Sequence, residues 1–458
     1  MVGLNMSNVF LLNLPIQYYI QSHFAEYKVY NPPLGIISIG TWLKFNGVNV
    51  KMVDLCHIRL SKDELINEIK LFNTSLLCIT VYTENFEMGI SFSKYIKKFI
   101  PDLKILLGGP HASLSFKSCI DNPYVDFVSR KEGESSILEL ATAIESNEQR
   151  IKYEQIEGIV FKRNNTIVVN KLASPIENLD LLPIQMRELA GIERFREVIN
   201  ISTSRGCPGR CIYCAATAIS GATYRVRNIE NVFLELVLLK HIFGNTVSLY
   251  YIIDDTFTAV KTRITKFVDL INKYNFNIYW QCESRIDIMT EDLLEKMAKA
   301  GCFSIQYGIE SGSQEVLDKI NKGIDLQYAK KIIKATYDNK IQLTLSFMLG
   351  HFCDTKETMH QTVEFIKEIA NTYRAEIALS FNTPFPGTWQ YTHMKDIGID
   401  LKTKKFSELT LLNPVVETKN FTLNDQRKAY FEASDYIGLL TKLQAQINQL
   451  QEMDKKGE

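Results

Sequence analysis

Three cysteines lie within eight residues of one another near the middle of the chain, at Cys207, Cys211 and Cys214. An apolar, strand-like run, Val198–Ile201, precedes them, and the aromatic Tyr213 stands directly before the last one. Three thiolates at this CxxxCxxC spacing can ligate three irons of a [4Fe–4S] cluster, which leaves the fourth iron without a protein ligand. The spacing therefore predicts a loop that converges on a cluster with one open iron.

Two other uses of these cysteines are disfavoured. The chain has nine scattered cysteines, several of them inside apolar runs, and shows no export signal, which argues against disulfides. A structural zinc site needs a fourth ligand at a suitable spacing. The next candidate, His241, lies in a helix-like run without a second ligand beside it.

Charge and hydropathy limit the partners of the chain. Lys plus Arg and Asp plus Glu each number 52 among 458 residues, so no basic excess is available to neutralise a nucleic-acid backbone. No apolar run approaches the length that crosses a bilayer. We therefore expect no nucleic-acid partner, no membrane span and a cytoplasmic, reducing location. The length is typical of about three domains.

The first part of the chain alternates apolar runs with helical patterns. Ser61 and Glu64, between the second and third runs, have capping-box spacing and predict the start of a helix. Continuous apolar strands separated by helices are typical of a parallel sheet that is covered on both faces. We therefore predict an α/β, Rossmann-like (flavodoxin-like) domain over residues 1–150. The five predicted strands are Val9–Leu14, Asn49–Asp54, Leu76–Val81, Lys104–Gly109 and Val125–Val128.

The rest of the chain divides into three parts. Residues 151–195 contain an alternating segment around Asn164 and Asn165, which predicts a hairpin followed by a linker. Residues 196–395 repeat a strand–helix pattern, which predicts a partial (βα)6 TIM-type barrel with its chemistry at the carboxyl ends of its strands. Residues 396–458 are predicted to form a small helical C-terminal region.

Polar residues and glycines follow several predicted strands, where a parallel sheet binds its ligands. A Gly-Gly turn or a single histidine is most often structural on its own; the order of these features along the chain is what makes them candidates. The candidates of the first domain are Pro33, Asp54, Thr83, Glu84, Gly108, Gly109, His111, Glu132, Gly133 and Glu134. Those of the barrel are Asp254, Asp255, Glu283, Ser284, Arg285, Glu310 and Ser311.

Together these features resemble the cobalamin-dependent radical S-adenosylmethionine (SAM) enzymes. The resemblance runs from about residue 8 to about residue 395 and includes the linker Leu179–Pro183 and the segment Thr383–Thr388. It implies that the three cysteines hold the cluster and that SAM binds the open iron. It also implies cobalamin contacts from the first-domain candidates, beginning near Asn31 and Pro33.

The same resemblance assigns roles around SAM. Tyr213 is expected beside the adenine. Asp254 and Asp255 are expected to meet the ammonium, and Glu310 and Ser311 the ribose and carboxylate. Glu283, Ser284 and Arg285 belong to the same set of SAM-facing residues.

The chain departs from the family pattern at four positions. Many cobalamin domains supply an axial histidine through a DxHxxG motif, but His57 is one place late and no glycine follows, so we assign it no cobalt ligation. A residue near Thr83 is expected to face the lower side of cobalt. Lys131 replaces the glycine that usually precedes Glu-Gly-Glu. His351 and Cys353 alter a turn; both could face substrate, but a turn variant without chemistry is the more common outcome.

The leading functional hypothesis is methylation of an unactivated carbon in a natural-product, peptide or lipid substrate. One SAM would supply the methyl group through cobalamin and a second would supply the radical. Electrons would come from a donor such as flavodoxin or ferredoxin. A non-methylating oxidase or cyclase fits the same sequence.

Two further alternatives are weaker. A methylthiotransferase needs a second cluster, and Cys56, Cys78 and Cys119 do not form a converging triplet. A non-catalytic cobalamin or SAM sensor would not need the complete set of SAM motifs. Cys282 and Cys302 are expected in the core.

Overall fold

The fold was analysed in a computed structural model that describes residues 7–16, 32–191, 198–221, 223–244 and 249–456, with side chains through residue 439. No helix in these ranges combines the length and apolar character needed to span a membrane.

The first part of the chain forms a seven-stranded sheet between two hydrophobic cores. Its strands are β1 Asn8–Asn13, β2 Asn49–Asp54, β3 Leu76–Thr80, β4 Lys104–Gly108, β5 Phe127–Ser129, β6 Ile159–Arg163 and β7 Thr166–Val169. Its helices are α1 Leu34–Phe45, α2 Lys62–Leu71, α3 Phe86–Phe99, α4 Pro110–Leu114, α5 Phe116–Ile120 and α6 Glu134–Glu145.

The strand order is β2-β1-β3-β4-β5-β6-β7, with β1 to β5 parallel. Parallel strands in the order 2-1-3-4-5 are flavodoxin-like, so the predicted Rossmann-like fold is confirmed. The run in β1 is continuously apolar because both faces are covered: Val9 and Leu11 pack in one core, Phe10 and Leu12 in the other.

Local sequence signals act as predicted in this domain. The Ser61 hydroxyl accepts from the Glu64 amide (3.2 Å), and the Glu64 carboxylate accepts from the Ser61 amide (2.7 Å), which is the predicted capping box. Asn164 and Asn165, both at positive φ, form the turn of the hairpin β6–β7. That hairpin pairs with β5 and thus extends the first sheet, so the domain boundary placed at residue 150 stays a prediction.

The second part forms a separate six-stranded sheet and a short two-stranded ladder. Its strands are β8 Val198–Ile201, β9 Ser204–Arg205, β10 Arg225–Val226, β11 Leu249–Ile252, β12 Trp280–Ser284, β13 Cys302–Glu310, β14 Gln342–Leu349 and β15 Glu376–Phe381. Its helices are α7 Ala215–Ser220, α8 Ile229–Phe243, α9 Lys261–Lys273, α10 Glu291–Lys299, α11 Gln314–Lys319, α12 Leu326–Asp338, α13 Lys356–Tyr373 and α14 Trp389–Thr392.

The main strands of this sheet follow the chain in the order β8-β11-β12-β13-β14-β15, all parallel. Helices connect them, which confirms the predicted partial (βα)6 barrel. The antiparallel ladder β9–β10 stands apart from the sheet and leads directly into the cysteine loop.

The C-terminal region packs against the last two strands of the barrel sheet. It contains strands β16 Asp400–Leu401 and β17 Val416–Glu417 and helix α15 Leu423–Lys456. The long helix was predicted, but the antiparallel pair β16–β17 was not. Val416 and Phe421 pack with Leu349 and Phe381 at the ends of β14 and β15, so this region completes the barrel's last core.

Candidate functional site

The cysteine loop lies between β9 and α7, and backbone contacts from neighbouring loops hold it. The Ile212 amide donates to the Ile320 carbonyl (3.2 Å), and the Ile212 carbonyl accepts from the Gln390 amide (3.0 Å). The Asn321 side chain donates to the Arg210 carbonyl (2.9 Å). The loop is therefore held by two segments, one at Ile320 and Asn321 and the other at Gln390.

All three thiols are half-buried on this loop. The Cys207 sulfur lies 3.2 Å from the Thr256 hydroxyl, and the Cys211 sulfur accepts from the Arg285 guanidinium (3.7 Å). Burial raises the pKa of Cys214 to about 11, so cluster binding must displace this proton. Three partly accessible thiols on one anchored loop, one of them accepting from a guanidinium, fit a cluster that leaves one iron open.

A buried ion pair lies beside the loop. The Lys322 ammonium contacts the Glu310 carboxylate (2.8 Å) and the Tyr213 hydroxyl (3.4 Å). Burial, followed by the Glu310 charge, raises the pKa of Tyr213. Glu310 has φ +77°, a strained value for a residue with a side chain, and β13 shows a register shift between Gly308 and Glu310. The chain thus holds Glu310 in an uncommon backbone conformation next to the cysteines.

The two adjacent aspartates after β11 have different surroundings. Asp254 is buried, and its carboxylate accepts from the amides of Thr203 (2.6 Å) and Ser204 (3.1 Å) and from the Thr203 hydroxyl. Asp255 is accessible. Desolvation by the surrounding protein, and then the Asp254 charge, raise the pKa of Asp255.

The remaining SAM candidates vary in accessibility. Glu283 accepts from the Tyr251 hydroxyl (2.6 Å), and burial raises its pKa. The Ser284 hydroxyl pairs with that of Thr258, and the Ser311 hydroxyl lies 3.1 Å from that of Thr362. Both serines are buried by these contacts. Their predicted contact with SAM stays a prediction, while the bonds that the structure shows are internal.

The altered turn after β14 buries its histidine. His351 is fully buried, and this burial lowers its pKa to about 4. Asp354 fixes the turn by accepting from the amides of Gly350 (3.1 Å) and His351 (2.8 Å). Burial raises the pKa of Cys353 to about 12. The imidazole has no accessible surface, so it does not face an open substrate cavity in this conformation.

In the first domain, Asp54 is a turn-forming residue. Its carboxylate accepts from the Asn13 side chain (2.9 Å) and the Cys56 amide (3.0 Å) at the carboxyl ends of β1 and β2. His57 is exposed on the same turn. Pro33 precedes α1 at this edge of the sheet, whereas Asn31 lies outside the described residues.

Thr83 and His111 are joined by a hydrogen-bond chain. One ring nitrogen of His111 lies 3.2 Å from the Thr83 hydroxyl, and the other lies 3.0 Å from that of Ser118. The ring packs between Phe86 and Phe406, at 4.4 and 4.7 Å between centroids. His111 is therefore placed to orient Thr83, and its own nitrogens are occupied.

The glycine turn after β4 is required by its backbone. Gly109 has φ +93°, and a Cβ there would lie 3.0 Å from the Val81 carbonyl oxygen. This close approach of the backbone accounts for a glycine at position 109, whether or not a ligand binds there. Gly108 and the half-buried Glu84 lie at the same sheet edge.

The predicted cobalamin carboxylates bond to arginines of the second sheet region. The Arg205 guanidinium donates to Glu134 (2.5 Å), which is only 3% exposed. The Arg225 guanidinium pairs with Glu132. Gly133 stands between them. Their predicted contact with cobalamin stays a prediction; in the structure both carboxylates join the two domains.

The burial of His111 predicts a pH dependence of folding. Its pKa is lowered by burial from 6.5 to about 4, so the unfolded chain takes up the proton first as pH falls through this window. Between pH 7.5 and pH 5 we expect this group to lower the free energy of unfolding by about 2 kcal/mol. Urea titrations of the cluster-free chain at pH 7.5 and pH 5 measure the free energy of unfolding at each pH. Its loss between these two pH values should be smaller by this amount in His111→Gln than in the parent. Equal losses in the two proteins would contradict the lowered pKa of His111.

Several contacts at this site were not predicted from the sequence. Lys322 lies in an ordinary-looking turn, and no local pattern indicated that it pairs with Glu310. Thr256 follows the aspartates, yet its contact with Cys207 depends on the folded loop. Arg205 gave one usable signal, since it is a charged residue two positions before a predicted cluster ligand.

Comparison with known proteins agrees with this geometry. The family model for the Radical SAM superfamily matches residues 201–366, and that for the B12 binding domain matches residues 23–141. The chain is 28% identical over 413 residues to an uncharacterized methyltransferase of Pyrococcus horikoshii, with 87% of each chain covered. It is 24% identical to an anaerobic magnesium-protoporphyrin IX monomethyl ester cyclase of Rubrivivax gelatinosus, covering 84% of this chain and 70% of that one.

A solved structure shows the same fold. It is the cobalamin-dependent S-adenosylmethionine radical enzyme OxsB with aqua-cobalamin and S-adenosylmethionine bound. The two superpose with a TM-score of 0.74 at 16% identity, over 93% of this chain and 66% of that one.

Proposed function

This chain belongs to the cobalamin-dependent radical SAM enzymes, and from that premise we propose that it methylates an unactivated carbon. Its cofactors are a [4Fe–4S] cluster, SAM and cobalamin. When bound, the cluster and SAM supply a 5′-deoxyadenosyl radical and cobalamin carries the methyl group. The proposed substrate is a natural product, peptide or lipid, and a flavodoxin or ferredoxin would deliver electrons in a cytoplasmic setting.

One observation carries the proposal: the strand-end loops of the two sheets contact each other. Lys131, after β5, donates to the Ala218 carbonyl in α7 (2.9 Å). A Cβ on Gly387, after β15, would lie 2.8 Å from the Leu114 side chain in α4. Parallel sheets of α/β proteins generally bind their ligands at these edges. The arrangement brings the two proposed cofactor sites together, as a methyl transfer between them requires.

In this proposal the residues around SAM divide their roles. Asp255 is accessible and would meet the ammonium, whereas Asp254 holds the turn between Thr203 and Ser204. Glu310 would bind the ribose or carboxylate, with Lys322 holding its side chain. Glu283 and Arg285 are the other polar residues proposed to face SAM, and Arg285 also donates to the sulfur of Cys211. Pairing with a cationic ligand would lower the raised pKa of Asp255.

A second candidate function has specific support. Relatives that are named anaerobic magnesium-protoporphyrin IX monomethyl ester cyclases match most of this chain. A non-methylating oxidase or cyclase is therefore the second candidate function. A methylthiotransferase is disfavoured, although one relative carries that name. Cys78 and Cys119 are buried in the core of the first domain, where they cannot converge with Cys56 on a second cluster.

The products distinguish methylation from oxidation. With the true substrate, the two-SAM scheme should give S-adenosylhomocysteine and 5′-deoxyadenosine in comparable amounts. Chromatography of anaerobic reactions measures both. An oxidase would give 5′-deoxyadenosine without matching S-adenosylhomocysteine, and that result would favour the second candidate.

Cobalamin binding gives a separate check. We expect the purified chain to take up about one hydroxocobalamin at the strand ends of the first sheet. His57→Ala should leave the bound absorption spectrum nearly unchanged, because this exposed residue is offset from the axial motif. A large spectral change in that variant would show that His57 ligates cobalt after all.

A further inference from the structure

Both ends of the cysteine loop are attached to one short segment of the first domain. Before the loop, Arg205 in β9 donates to the Glu134 carboxylate (2.5 Å) and lies 3.5 Å from that of Glu132. After the loop, the Ala218 carbonyl in α7 accepts from the Lys131 ammonium (2.9 Å). The loop cannot shift relative to this segment without breaking one of these contacts.

A second arginine completes the attachment. Arg225 pairs with Arg205 in the β9–β10 ladder, and its guanidinium donates to Glu132 and to the Ile176 carbonyl (2.6 Å). Glu134 is 3% exposed, so its charge is paired away from water. Buried ion pairs whose groups are hydrogen-bonded add little net stability but hold one geometry.

The backbone of Lys131 points to the same role. Its φ is +68°, in the left-handed region where a residue with a Cβ is strained and glycine is not. A glycine would fit this turn without strain. The lysine side chain adds the bond to Ala218, and that bond is what a glycine could not make.

We propose that Lys131, Glu132, Glu134, Arg205 and Arg225 form an interdomain clamp that sets the position of the cysteine loop relative to the cobalamin-binding loops. They are positioning residues, and none needs to touch a cofactor. The inference rests on the proposed function, because it takes the strand ends of the first sheet as the cobalamin site. Geometry between reacting groups strongly affects rate, since a displacement of about 1 Å can cost roughly a hundredfold.

Pulsed EPR tests the clamp directly. In substrate-free protein loaded with both cofactors, the reduced cluster and the Co(II) form of cobalamin are paramagnetic, and their dipolar coupling reports the distance between them. We expect one narrow distance distribution in the parent protein. Lys131→Gly should broaden or shift it while iron content, cobalamin content and thermal midpoint are retained, because glycine relieves the strained φ.

Matched variants control for the substitutions themselves. Lys340→Gly makes the same change at φ +61° in a turn before β14, outside the clamp, and should leave the distance unchanged. Glu134→Gln should broaden the distribution. Its control, Glu148→Gln, breaks a pair with Arg163 of the same 2.5 Å separation inside the first domain. If Glu134→Gln fails to fold, Lys131→Gly decides alone.

An unchanged narrow distance in Lys131→Gly would overturn the clamp, and so would equal broadening in Lys340→Gly. The measurement needs neither substrate nor turnover, so it is separate from the proposed function. A disturbed distance together with failed methyl transfer in the parent protein would keep the clamp and reject the methyltransferase assignment. An unchanged distance in Lys131→Gly, together with methyl transfer by the parent protein, would reject the clamp and keep the methyltransferase assignment.

Discussion

Replacing Cys207, Cys211 and Cys214 together by alanine is expected to abolish iron binding and 5′-deoxyadenosine formation. The anaerobically reconstituted parent should bind about four irons. Cys282 and Cys302 are buried in the core as predicted, so these two thiols are not accessible replacements. Iron assay and chromatography of SAM cleavage products measure the two losses.

The fold of the triple variant must be checked separately. The loop is held by backbone contacts of Ile212 and Arg210, which alanines at the cysteines leave in place. We therefore expect the variant to keep its circular dichroism spectrum and its cobalamin uptake. A variant that keeps iron and SAM cleavage would refute the cluster assignment.

Gly308→Ala is expected to weaken SAM binding at least about tenfold, or about 1.4 kcal/mol. A Cβ at this position would lie 2.5 Å from a Glu310 carboxylate oxygen and 3.0 Å from the Lys322 nitrogen. The buried pair would have to move, and with it the groups proposed to meet SAM. Equilibrium dialysis of SAM against cluster-loaded protein measures the effect.

A glycine elsewhere provides the matched control. Gly438 lies exposed in α15, and a Cβ added there would meet no atom within 4 Å, so Gly438→Ala should leave SAM affinity unchanged and stabilise the helix slightly. SAM affinity within about twofold of the parent in folded Gly308→Ala would contradict the role assigned to the pair.

The fold could be predicted because its information is local. Val9–Leu12 in β1 is apolar at every position and therefore indicates a strand covered on both faces. The Ser61–Glu64 spacing defined a helix start within four residues. Strand–helix repetition then implied parallel sheets and placed their ligands at the carboxyl ends.

The partners of the site residues were harder to predict because they are distant in sequence. Arg205 and Glu134 are 71 residues apart, and Arg225 and Glu132 are 93 apart, so no local pattern reports that they meet. The partners of Asp254 are also distant in sequence, since its carboxylate accepts from the amides of Thr203 and Ser204. Sequence assigned it and Asp255 one role, but only the folded turn shows that Asp254 is occupied and Asp255 accessible.

The departures from the family pattern had different outcomes. Lys131 replaces a glycine of the family pattern, and its side chain reaches α7. For His351 the sequence favoured a turn variant over a substrate-facing role, and the turn held by Asp354 buries the imidazole completely. Residue type alone did not predict the contact of Lys131 with α7 or the complete burial of His351. Each depends on the direction that the folded chain gives to one side chain.

Transfer of a labelled methyl group tests the central claim most directly. The protein, loaded with cluster and cobalamin, would be incubated anaerobically with methyl-labelled SAM, a reductant and an extract of the cells that make it. The triple cysteine variant serves as the control. We expect a product that carries the label and is absent from the control. Extract-dependent 5′-deoxyadenosine formation with no label in any product would exclude methyl transfer and favour oxidation or cyclisation.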